Sequence, residues 1–310
     1  MKKSICRGLL ITNSFLRTDK FVEHDAWLMQ AAKSQGIRLE FAGNAELLAF
    51  CGEEPDWLLQ YDFIVYWDKD ILLGREITRY AERKKIPIYN RIDAIAACDD
   101  KYETYYRVIT YNQTHPGEEI AILPTIAAPM TYANIGYTRL DFLNQVEKKL
   151  SYPIVVKECF GSFGMQVYLA KNRQELEILT LKLAGKPFLY QKYQSVSSGR
   201  DVRLQVVGKQ VVAAMYRYSE TGDFRANITN GGSMKAYQPT LREKELAVRV
   251  AGVLGLDFAG VDLLFDEDGH STILCEVNSN AHFKNIFTCT GVNVAECMIQ
   301  YILARREENV

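Results

Sequence analysis

The sequence has few of the residues that build metal clusters or disulfide frameworks. Its four histidines are isolated from one another, and none of its seven cysteines follows another at Cys-x-x-Cys spacing. Zinc sites and disulfide-rich folds depend on such patterns, so both are excluded. An odd number of scattered cysteines is typical of reduced residues in a cytoplasmic protein, and we expect that location.

Long apolar runs and a strong net charge are also missing. No apolar stretch approaches the roughly 20 residues that a membrane-spanning helix needs. The basic start contains Arg7 and leads only to the short run Leu9–Ile11, so no signal-peptide core is expected. The formal net charge of −1 argues against a nucleic acid or an anionic membrane as a partner.

What is present is the composition of a globular protein with sizeable cores. The chain has 310 residues, of which 48% are hydrophobic and 24% are charged, enough for two or three compact lobes. The first ninety or so residues alternate strand and helix signals, which is typical of a small parallel α/β domain. Strands are predicted at 8–12, 62–67 and 86–89, and helices near 22–34 and over 71–84.

The loop after the first predicted strand is a candidate substrate site. Ligands of parallel sheets bind beyond the carboxyl ends of the strands, where the loop Asn13–Lys20 is expected. Arg17 and Lys20 in this loop are candidate substrate contacts. An ordinary surface loop is the alternative.

Later segments carry further helix and loop signals. The segment Tyr111–Glu119 is polar and is predicted as a surface loop. Apolar residues, mostly leucine, recur at helical spacing over 140–150 and 176–183. Thr240–Glu243 has the form of a capping box, which predicts a helix that ends near Leu254.

Two apolar runs near the end of the chain are predicted to form an antiparallel hairpin. The runs are residues 258–265 and 272–278, and turn residues separate them. In the register that we expect, Leu264 lies opposite Leu274.

The same register predicts a metal site. It places Asp262 opposite Glu276, and Asn278 projects from the same face as Glu276. Like charges directly across a ladder destabilise it, and buried carboxylates need a partner. Mg²⁺ supplies one, since it prefers carboxylate and carbonyl oxygens. An exposed hairpin face with solvated acidic side chains is the alternative.

A strand, a glycine-containing loop and a returning strand form a candidate phosphate site. Lys157 ends the strand 152–157, Gly161 and Gly164 lie in the loop, and 167–169 returns. Glycine lets backbone N–H groups approach phosphate oxygens, and the lysine neutralises their charge. No Gly-Lys-Ser/Thr follows, so this is not a Walker loop. An ordinary turn is the alternative.

Three arginines strengthen the case for an anionic ligand. Arg203, Arg217 and Arg225 offer planar, bidentate donors to phosphate or carboxylate. A surface ion pair is the alternative for any one of them. Their combination with the lysine–glycine loop and the acidic pair favours a nucleotide site.

These motifs, in this order, resemble those of the ATP-grasp superfamily, and within it the RimK-like carboxylate–amine ligases of the alpha-L-glutamate ligase type. The resemblance spans about Arg91 to Arg305. It rests on the metal residues and on the segments 99–104, 155–157, 161–164, 190–193, 199–203 and 222–227. It implies an α/β and α+β protein with the ATP-grasp fold and an N-terminal Rossmann-like domain. The implied domains are residues 1–95, 96–188 and 189–310.

The resemblance also implies a role for each motif residue. Lys101 and Lys157 are expected to hold the α- and β-phosphates of ATP. The expected ligands of two Mg²⁺ ions, or of Mn²⁺, are Asp262, Glu276 and Asn278. Other expected ATP contacts are Gly161, Ser162, Gly164, Gln191, Lys192, Tyr193 and Asp201. The residues expected to act on the transferred phosphoryl group are Arg203, Arg217, Arg225 and Asn227.

Two positions depart from the family pattern. Lys192 stands at the adenine hinge, where acidic residues are usual. Ser279–Lys284 replaces a small residue, proline and glycine after the metal strand. This second departure is expected beside the reacting groups, so the substrates stay open. His282 and Lys284, in the loop expected after Asn278, are candidate substrate contacts.

The activity that the resemblance implies is ATP-dependent formation of an amide or peptide bond through an acyl phosphate. The expected substrates are a small-molecule or peptide carboxylate and an amino acid, with L-glutamate first by analogy. A homo-oligomer is expected. The alternatives are a small-molecule kinase on the same scaffold and a catalytically silent nucleotide-binding regulator.

Overall fold

The computed structural model of the chain describes residues 5–48, 52, 54–161, 164–226, 228 and 231–308. Within these residues the strands form three sheets, and the six described cysteines are free. No single helix in this part of the chain is long and apolar enough to span a membrane. The helices Lys284–Thr290 and Val294–Glu307 meet that test only as a pair, and they are bent by 108° at their junction.

The N-terminal sheet is parallel and has four strands. They are β1 (Arg7–Thr12), β2 (Arg38–Gly43), β3 (Phe63–Tyr66) and β4 (Ile88–Tyr89), in the order β2-β1-β3-β4. Helices α1 (Asp19–Ser34) and α2 (Ile71–Arg83) connect them, with 3₁₀ turns at Asn44–Glu46 and Asp56–Gln60. Side chains alternate faces, so Leu9 packs on the side of α2 and Leu10 on the side of α1. The predicted parallel sheet is confirmed, although β2 was missed.

The central sheet is antiparallel. Its strands are β5 (Thr125–Ala127), β6 (Ile154–Glu158), β7 (Val167–Ala170) and β8 (Phe188–Lys192), in the order β5-β8-β6-β7. Helices α3 (Ile92–Asp99) and α4 (Lys101–Thr114) precede it in the chain, and α5 (Leu143–Leu150) and α6 (Arg173–Lys182) share its core. β8 crosses the domain boundary predicted between residues 188 and 189.

Helix α4 corrects the loop predicted for Tyr111–Glu119. The helix continues to Thr114, so the prediction is wrong over the first four residues. The polar side chain of Asn112 is used within the fold, because it donates to Ile120 O at 2.9 Å and accepts from Ile120 N at 2.8 Å. The polar residue Asn112 therefore connects α4 to the next segment and does not mark a loop.

The C-terminal sheet has five antiparallel strands. They are β9 (Arg200–Val207), β10 (Gln210–Ser219), β11 (Gly232–Ala236), β12 (Phe258–Phe265) and β13 (Thr272–Asn278), in the order β11-β10-β9-β12-β13. The 3₁₀ turn Ser195–Ser197 precedes it, and its helices are α7 (Leu241–Leu254), α8 (Lys284–Thr290) and α9 (Val294–Glu308). The capping box of Thr240 and Glu243 forms as predicted, and Gly255 ends α7 at a positive φ of 76°.

The β12–β13 hairpin forms with a corrected register. Leu274 lies opposite Leu263 and not, as predicted, opposite Leu264. A bulge between Asp262 and Leu263 takes up the extra residue of β13, so Asp262 still faces Glu276. The predicted carboxylate pair is therefore confirmed, although the pairing nearer the turn is wrong.

Helices α1, α8 and α9 lie between the N-terminal and C-terminal sheets, because one apolar cluster contains residues of all five elements. Asn90, which directly follows β4 and is 1% exposed, joins the two sheets. Its side chain donates to Phe258 O at 2.8 Å and to Ser279 O at 3.1 Å, and it accepts from Phe258 N at 2.9 Å. These bonds fix the end of β4 beside the start of β12 and the end of β13.

Candidate active site

A row of charged side chains crosses four strands of the C-terminal sheet. Strand pairing sets Arg217 opposite Asp201, Arg203 opposite Asp262, and Asp262 opposite Glu276. Residues two apart on a strand share a face, so Asp201 and Arg203 lie on the same side. The fold therefore brings five predicted site residues together.

Two arginines hold two aspartates in this row. Arg203 donates Nε and Nη2 to the two oxygens of Asp262, both at 2.6 Å. Arg217 donates to the two oxygens of Asp201 at 2.6 and 2.7 Å, and its Nη2 lies 3.0 Å from Asp262 Oδ2. Asp201, Arg217 and Asp262 are buried. The four charges cancel, as burial in an interior requires.

The two aspartates respond differently to burial. Burial raises the pKa of the Asp201 carboxyl, against the opposing charge of Arg217. Burial also acts to raise the pKa of Asp262, but the guanidinium groups of Arg203 and Arg217 outweigh it and hold that pKa below its usual range. Asp262 is therefore ionised at neutral pH, with its charge already balanced.

Glu276 is the acid of the row that lacks a counter-charge. The ion pairs among the described residues include none to its carboxylate. Two strand positions on, the buried Nδ2 of Asn278 has no hydrogen-bond partner among those residues. An unbalanced carboxylate beside an underused amide indicates that a ligand completes this end of the row.

The donor set fits Mg²⁺ bound together with a phosphate. Mg²⁺ is usually held by one or two carboxylates, water and substrate phosphates. Glu276, Asp262 and the amide oxygen of Asn278 supply oxygen donors of that kind. Within the described part of the chain, no group of three or more His, Cys, Asp or Glu side chains could hold a metal alone. Phosphate oxygens would therefore have to complete the coordination.

A cavity of about 100 Å³ lies between the central and C-terminal sheets. The predicted nucleotide, metal and catalytic residues that line it are Lys157, Gly164, Gln191, Lys192, Tyr193, Asp201, Arg217, Arg225, Asp262 and Glu276. Lys157 comes from β6 and is buried, so its ammonium faces the interior of the site and not bulk water. We refer to this space as the inner cavity.

Two predicted cations donate hydrogen bonds to the two ends of the glycine loop. Lys101 donates from Nζ to Gly161 O at 3.2 Å, and Arg225 donates from Nη1 to Gly164 O at 2.8 Å. Lys101 is not among the residues that line the inner cavity, so its phosphate contact stays a prediction.

Three further predicted residues need a separate account. Ser162 and Asn227 lie outside the described residues. Lys192, which stands where acidic residues are usual, donates to Glu267 Oε1 at 2.7 Å. This pair is exposed, and the contact of Lys192 with the adenine stays a prediction.

A second cavity, of about 430 Å³, lies between the carboxyl ends of the N-terminal strands and the C-terminal sheet. We refer to it as the outer cavity. Arg203 lines it, and Arg217 and Glu276 line both cavities. The charged row therefore forms the junction between them.

His282 and Arg17, two predicted substrate contacts, lie at the outer cavity or next to it. His282 lines the cavity, and its ring centroid lies 4.7 Å from that of Phe21. Arg17 is not among the lining residues. Its guanidinium lies 3.3 Å from the carboxylate of Asp25, and Asp25 does line the cavity. A substrate role for both residues stays a prediction.

The other two predicted substrate contacts, Lys284 and Lys20, both lie in helices. Lys284 is the first residue of α8 and not part of a loop, because Phe283 is buried in the core and anchors the helix start. Its ammonium pairs with Glu23 of α1, and it is not among the residues that line the outer cavity. Lys20 lies in α1, and its side chain is outside the described part of the structure.

Three acids of the outer cavity were not predicted from the sequence. Asp25, Asp68 and Asp70 line it. Asp68 and Asp70 closely follow β3, so the rule that ligands bind at the carboxyl ends of parallel strands would have found them. Asp25 lies within α1, and no sequence signal marks it as facing a cavity.

Asp25 provides a test of this environment. Burial raises the pKa of its carboxyl to about 6, despite the nearby charge of Arg17. The pKa in the unfolded chain is about 3.9, so ionisation opposes folding. This destabilisation by the ionised carboxyl is absent below about pH 4 and complete above about pH 6.

We expect Asp25→Asn to raise the free energy of unfolding by on the order of 2 kcal/mol at pH 7.5 and to change it little at pH 4. Urea denaturation at both pH values measures this, and equal effects would contradict it.

Known proteins share this sequence pattern. Residues 120–302 match the RimK-like ATP-grasp domain. N-acetylaspartylglutamate synthase A of Homo sapiens is 30% identical over 74% of this chain and 55% of its own length, so the chain spans about half of that protein. A probable alpha-L-glutamate ligase of Pasteurella multocida is 31% identical over 80% of this chain and 75% of its own length.

A solved structure shares the architecture. The ATP-grasp ligase PsnB, complexed with minimal precursor, Mg and ADP, superimposes with a TM-score of 0.68 at 14% identity. The match covers 96% of this chain and 98% of that one. At this identity the likeness shows the fold alone, and the predicted ATP-grasp fold is confirmed.

Proposed function

The chain belongs to the RimK-like family of ATP-grasp carboxylate–amine ligases, and we propose that it joins a carboxylate to an amine through an acyl phosphate at the expense of ATP. The amine that we propose first is L-glutamate, because similar proteins are named as glutamate ligases. Family membership supports the reaction class; the choice of glutamate rests on those names alone.

The observation that carries this proposal is the junction of the two cavities. ATP in the inner cavity and a carboxylate in the outer cavity would meet at Arg217 and Glu276, which line both. A ligase needs this arrangement, because the carboxylate must approach the terminal phosphate from the side opposite the leaving ADP.

The nucleotide would be held by residues of both flanking sheets. Lys157 would neutralise phosphate charge from the central sheet, and Gln191 and Tyr193 lie where the adenine is expected. Glu276 and Asn278 would hold Mg²⁺, with Asp262 beside them. When bound, the metal supplies charge neutralisation at the phosphates.

The reaction would proceed in two balanced steps. An oxygen of the carboxylate attacks the γ-phosphorus of ATP, the bond to the bridging oxygen breaks, and ADP leaves. The amine nitrogen then attacks the acyl carbon and gives up a proton to water. Inorganic phosphate leaves with the bonding electrons, and the amide forms.

The arginines suit both steps because the aspartates hold them in place. Arg203 and Arg217 use Nε and Nη2 on the aspartates, and their Nη1 groups have no partner among the described residues. An anchored guanidinium with a spare donor stabilises developing negative charge without reorganising. We propose this role for both.

An ADP-release assay tests the function. The wild-type protein is incubated with ATP, Mg²⁺ and pairs of carboxylates and amino acids, and products are identified by mass spectrometry. Ligation requires that ADP release depend on both substrates. Release with a hydroxyl compound alone would indicate a kinase. Tight ATP binding with no turnover on any pair would indicate a silent regulator.

Two variants compare the residues that follow the metal strand. His282 lines the outer cavity, so we expect His282→Ala to raise the KM of the substrate bound there by about tenfold. Lys284 pairs with Glu23 outside the cavity lining, so Lys284→Ala should change each KM by less than about twofold. Steady-state kinetics measures both, with the KM for ATP as the internal control. A larger effect of Lys284→Ala would restore its predicted substrate role.

A further inference from the structure

The N-terminal wall of the outer cavity is acidic. Asp68, which follows β3, is 5% exposed and lines the cavity. Its carboxylate accepts from the amide of Asn13 at 3.2 and 3.3 Å and from Lys69 N at 2.7 Å. No ion pair to Asp68 exists among the described residues, and the ammonium of Lys69 lies 2.6 Å from Asp99 instead. Asp68 is therefore a buried carboxylate without a counter-charge.

Two other acids share this wall. Asp70 accepts from Leu73 N and from the amide of Asn44, both at 3.1 Å, so its oxygens serve the fold. Among the described residues, Asp25 has one ionic contact, at 3.3 Å from Arg17. A lone buried carboxylate costs stability unless a cation or donors compensate it. The hydrogen bonds from Asn13 and Lys69 N compensate Asp68 in part, and a bound cation would supply the positive charge that they lack.

A neighbouring hydroxyl points to a ligand independently. Thr12 ends β1, is 4% exposed and lines the same cavity. Its Oγ1 is buried and has no hydrogen-bond partner among the described residues. Buried hydroxyls are nearly always paired, so this one indicates a polar group within the cavity.

The aromatic residues of the cavity are compatible with a cation. Phe21 and Trp67 line it beside His24, whose ring centroid lies 4.9 Å from that of Trp67. Aromatic faces attract ammonium and guanidinium groups.

The opposite wall offers hydrogen-bond donors, beside the Glu276 carboxylate that is assigned to the metal. Arg203 and Arg217 line it, together with Asn280, whose buried Nδ2 has no partner among the described residues. Donors on the C-terminal wall and acceptors on the N-terminal wall match a molecule with a carboxylate at one end and a positive charge at the other.

We infer that the carboxylate substrate of this protein carries an ammonium or guanidinium group, which binds at Asp68 and Asp25 with the Thr12 hydroxyl as an additional acceptor. Its carboxylate then lies toward Arg203 and Arg217. The substrate class is an amino acid or a short peptide with a free amino group. This inference rests on the proposed ligase function and names the substrate of the same site. A purely anionic or N-acylated acceptor would bring no cation to these acids.

Matched compounds test the inference. The panel is the twenty L-amino acids, each with its Nα-acetyl derivative, and 4-aminobutyrate and 5-aminopentanoate with butyrate and pentanoate. ADP release is measured with ATP, Mg²⁺ and L-glutamate, and also with each amino acid of the panel as the amine. We expect at least one free amino compound to have a KM about tenfold or more below that of its uncharged partner, since charged hydrogen bonds are the strong ones.

Asp68→Asn keeps the side-chain shape and removes the charge. We expect it to raise the KM of the free amino compound about tenfold, while the KM for ATP and for the acetylated partner stays unchanged. Asp93→Asn, at an exposed acid of α3 that contacts Arg91, is the control and should change neither. If Asp68→Asn does not fold, the comparison of matched compounds on the wild-type protein still tests whether the substrate needs a positive charge.

Calorimetry separates failure of this inference from failure of the ligase function. Each compound is titrated into the wild-type protein with a non-hydrolysable ATP analogue and Mg²⁺. Selective binding of free amino compounds without any turnover would support the inference while contradicting the ligase function. Preference for acetylated or purely anionic compounds, equal binding of matched partners, or no binding by any amino compound would overturn the inference.

Discussion

Glu276→Gln is expected to lower kcat by about a thousandfold and to leave the fold intact. The carboxylate lies at the junction of the two cavities and has no ionic partner among the described residues. Its proposed work is to hold Mg²⁺ at the phosphates, and losing one such stabilising group typically costs a factor of about 10²–10³ in kcat. Removing an unbalanced charge should not reduce the free energy of unfolding, and it relieves repulsion with Asp262.

Initial rates of ADP release over a range of Mg²⁺ concentrations measure this effect, and urea denaturation measures stability. Glu267→Gln is the matched control, because Glu267 lies in the turn of the same hairpin and pairs with Lys192 at the surface. It should alter kcat by less than about twofold. Near-normal Mg²⁺-dependent turnover by Glu276→Gln would show that the metal site has been assigned to the wrong strand.

The hairpin shows what the sequence predicts well. Alternation and turn residues are local signals, so the two strands and the pairing of Asp262 with Glu276 followed from them. The bulge that sets Leu263 opposite Leu274 did not. A bulge depends on how one residue fits between two strands, and no residue type marks it reliably.

The charged row shows what local signals miss. Arg203, Arg217 and Asp201 were predicted as contacts of ATP or its phosphates, and they do line the cavities. The ion pairs that hold them to one another were not predicted, because partners on neighbouring strands are set by register and not by spacing along the chain. The motifs therefore indicated which residues come together at the cavities but not the ion pairs that hold them.

The residues that line the outer cavity were the hardest part of the site to predict from the sequence. Asp68 is close to the carboxyl end of β3 and was within reach of the strand-end rule. Asp25 and Phe21 sit on α1, and they reach the cavity only because α1 packs between two sheets. Such a placement depends on the tertiary packing of three elements. The family resemblance does not supply it, because it begins near Arg91.

Arg217→Met is expected to reduce the free energy of unfolding by about 3–5 kcal/mol, besides abolishing turnover. The guanidinium is 4% exposed and binds both oxygens of Asp201. Removing one partner of a buried ion pair leaves the other charge uncompensated, which is the costly case. Asp262 keeps its two bonds from Arg203, so the loss falls mainly on Asp201.

Urea denaturation of a double-mutant cycle isolates this interaction. Asp201→Asn should recover a large part of the stability lost in Arg217→Met, because no buried charge is then left alone. Arg225→Met is the control, since Arg225 is partly exposed and its ionic partner, Asp223, is a near neighbour in the chain. This variant should lower the free energy of unfolding by less than about 1 kcal/mol.

The double variant should fold yet remain inactive, because the spare donor of Arg217 at the junction is absent. If Arg217→Met were as stable as the wild-type protein, Asp201 would have to be protonated or solvated in the fold, and the neutral four-charge network would be wrong. The outcome therefore decides whether Asp201 anchors Arg217, for which we propose a role at the junction.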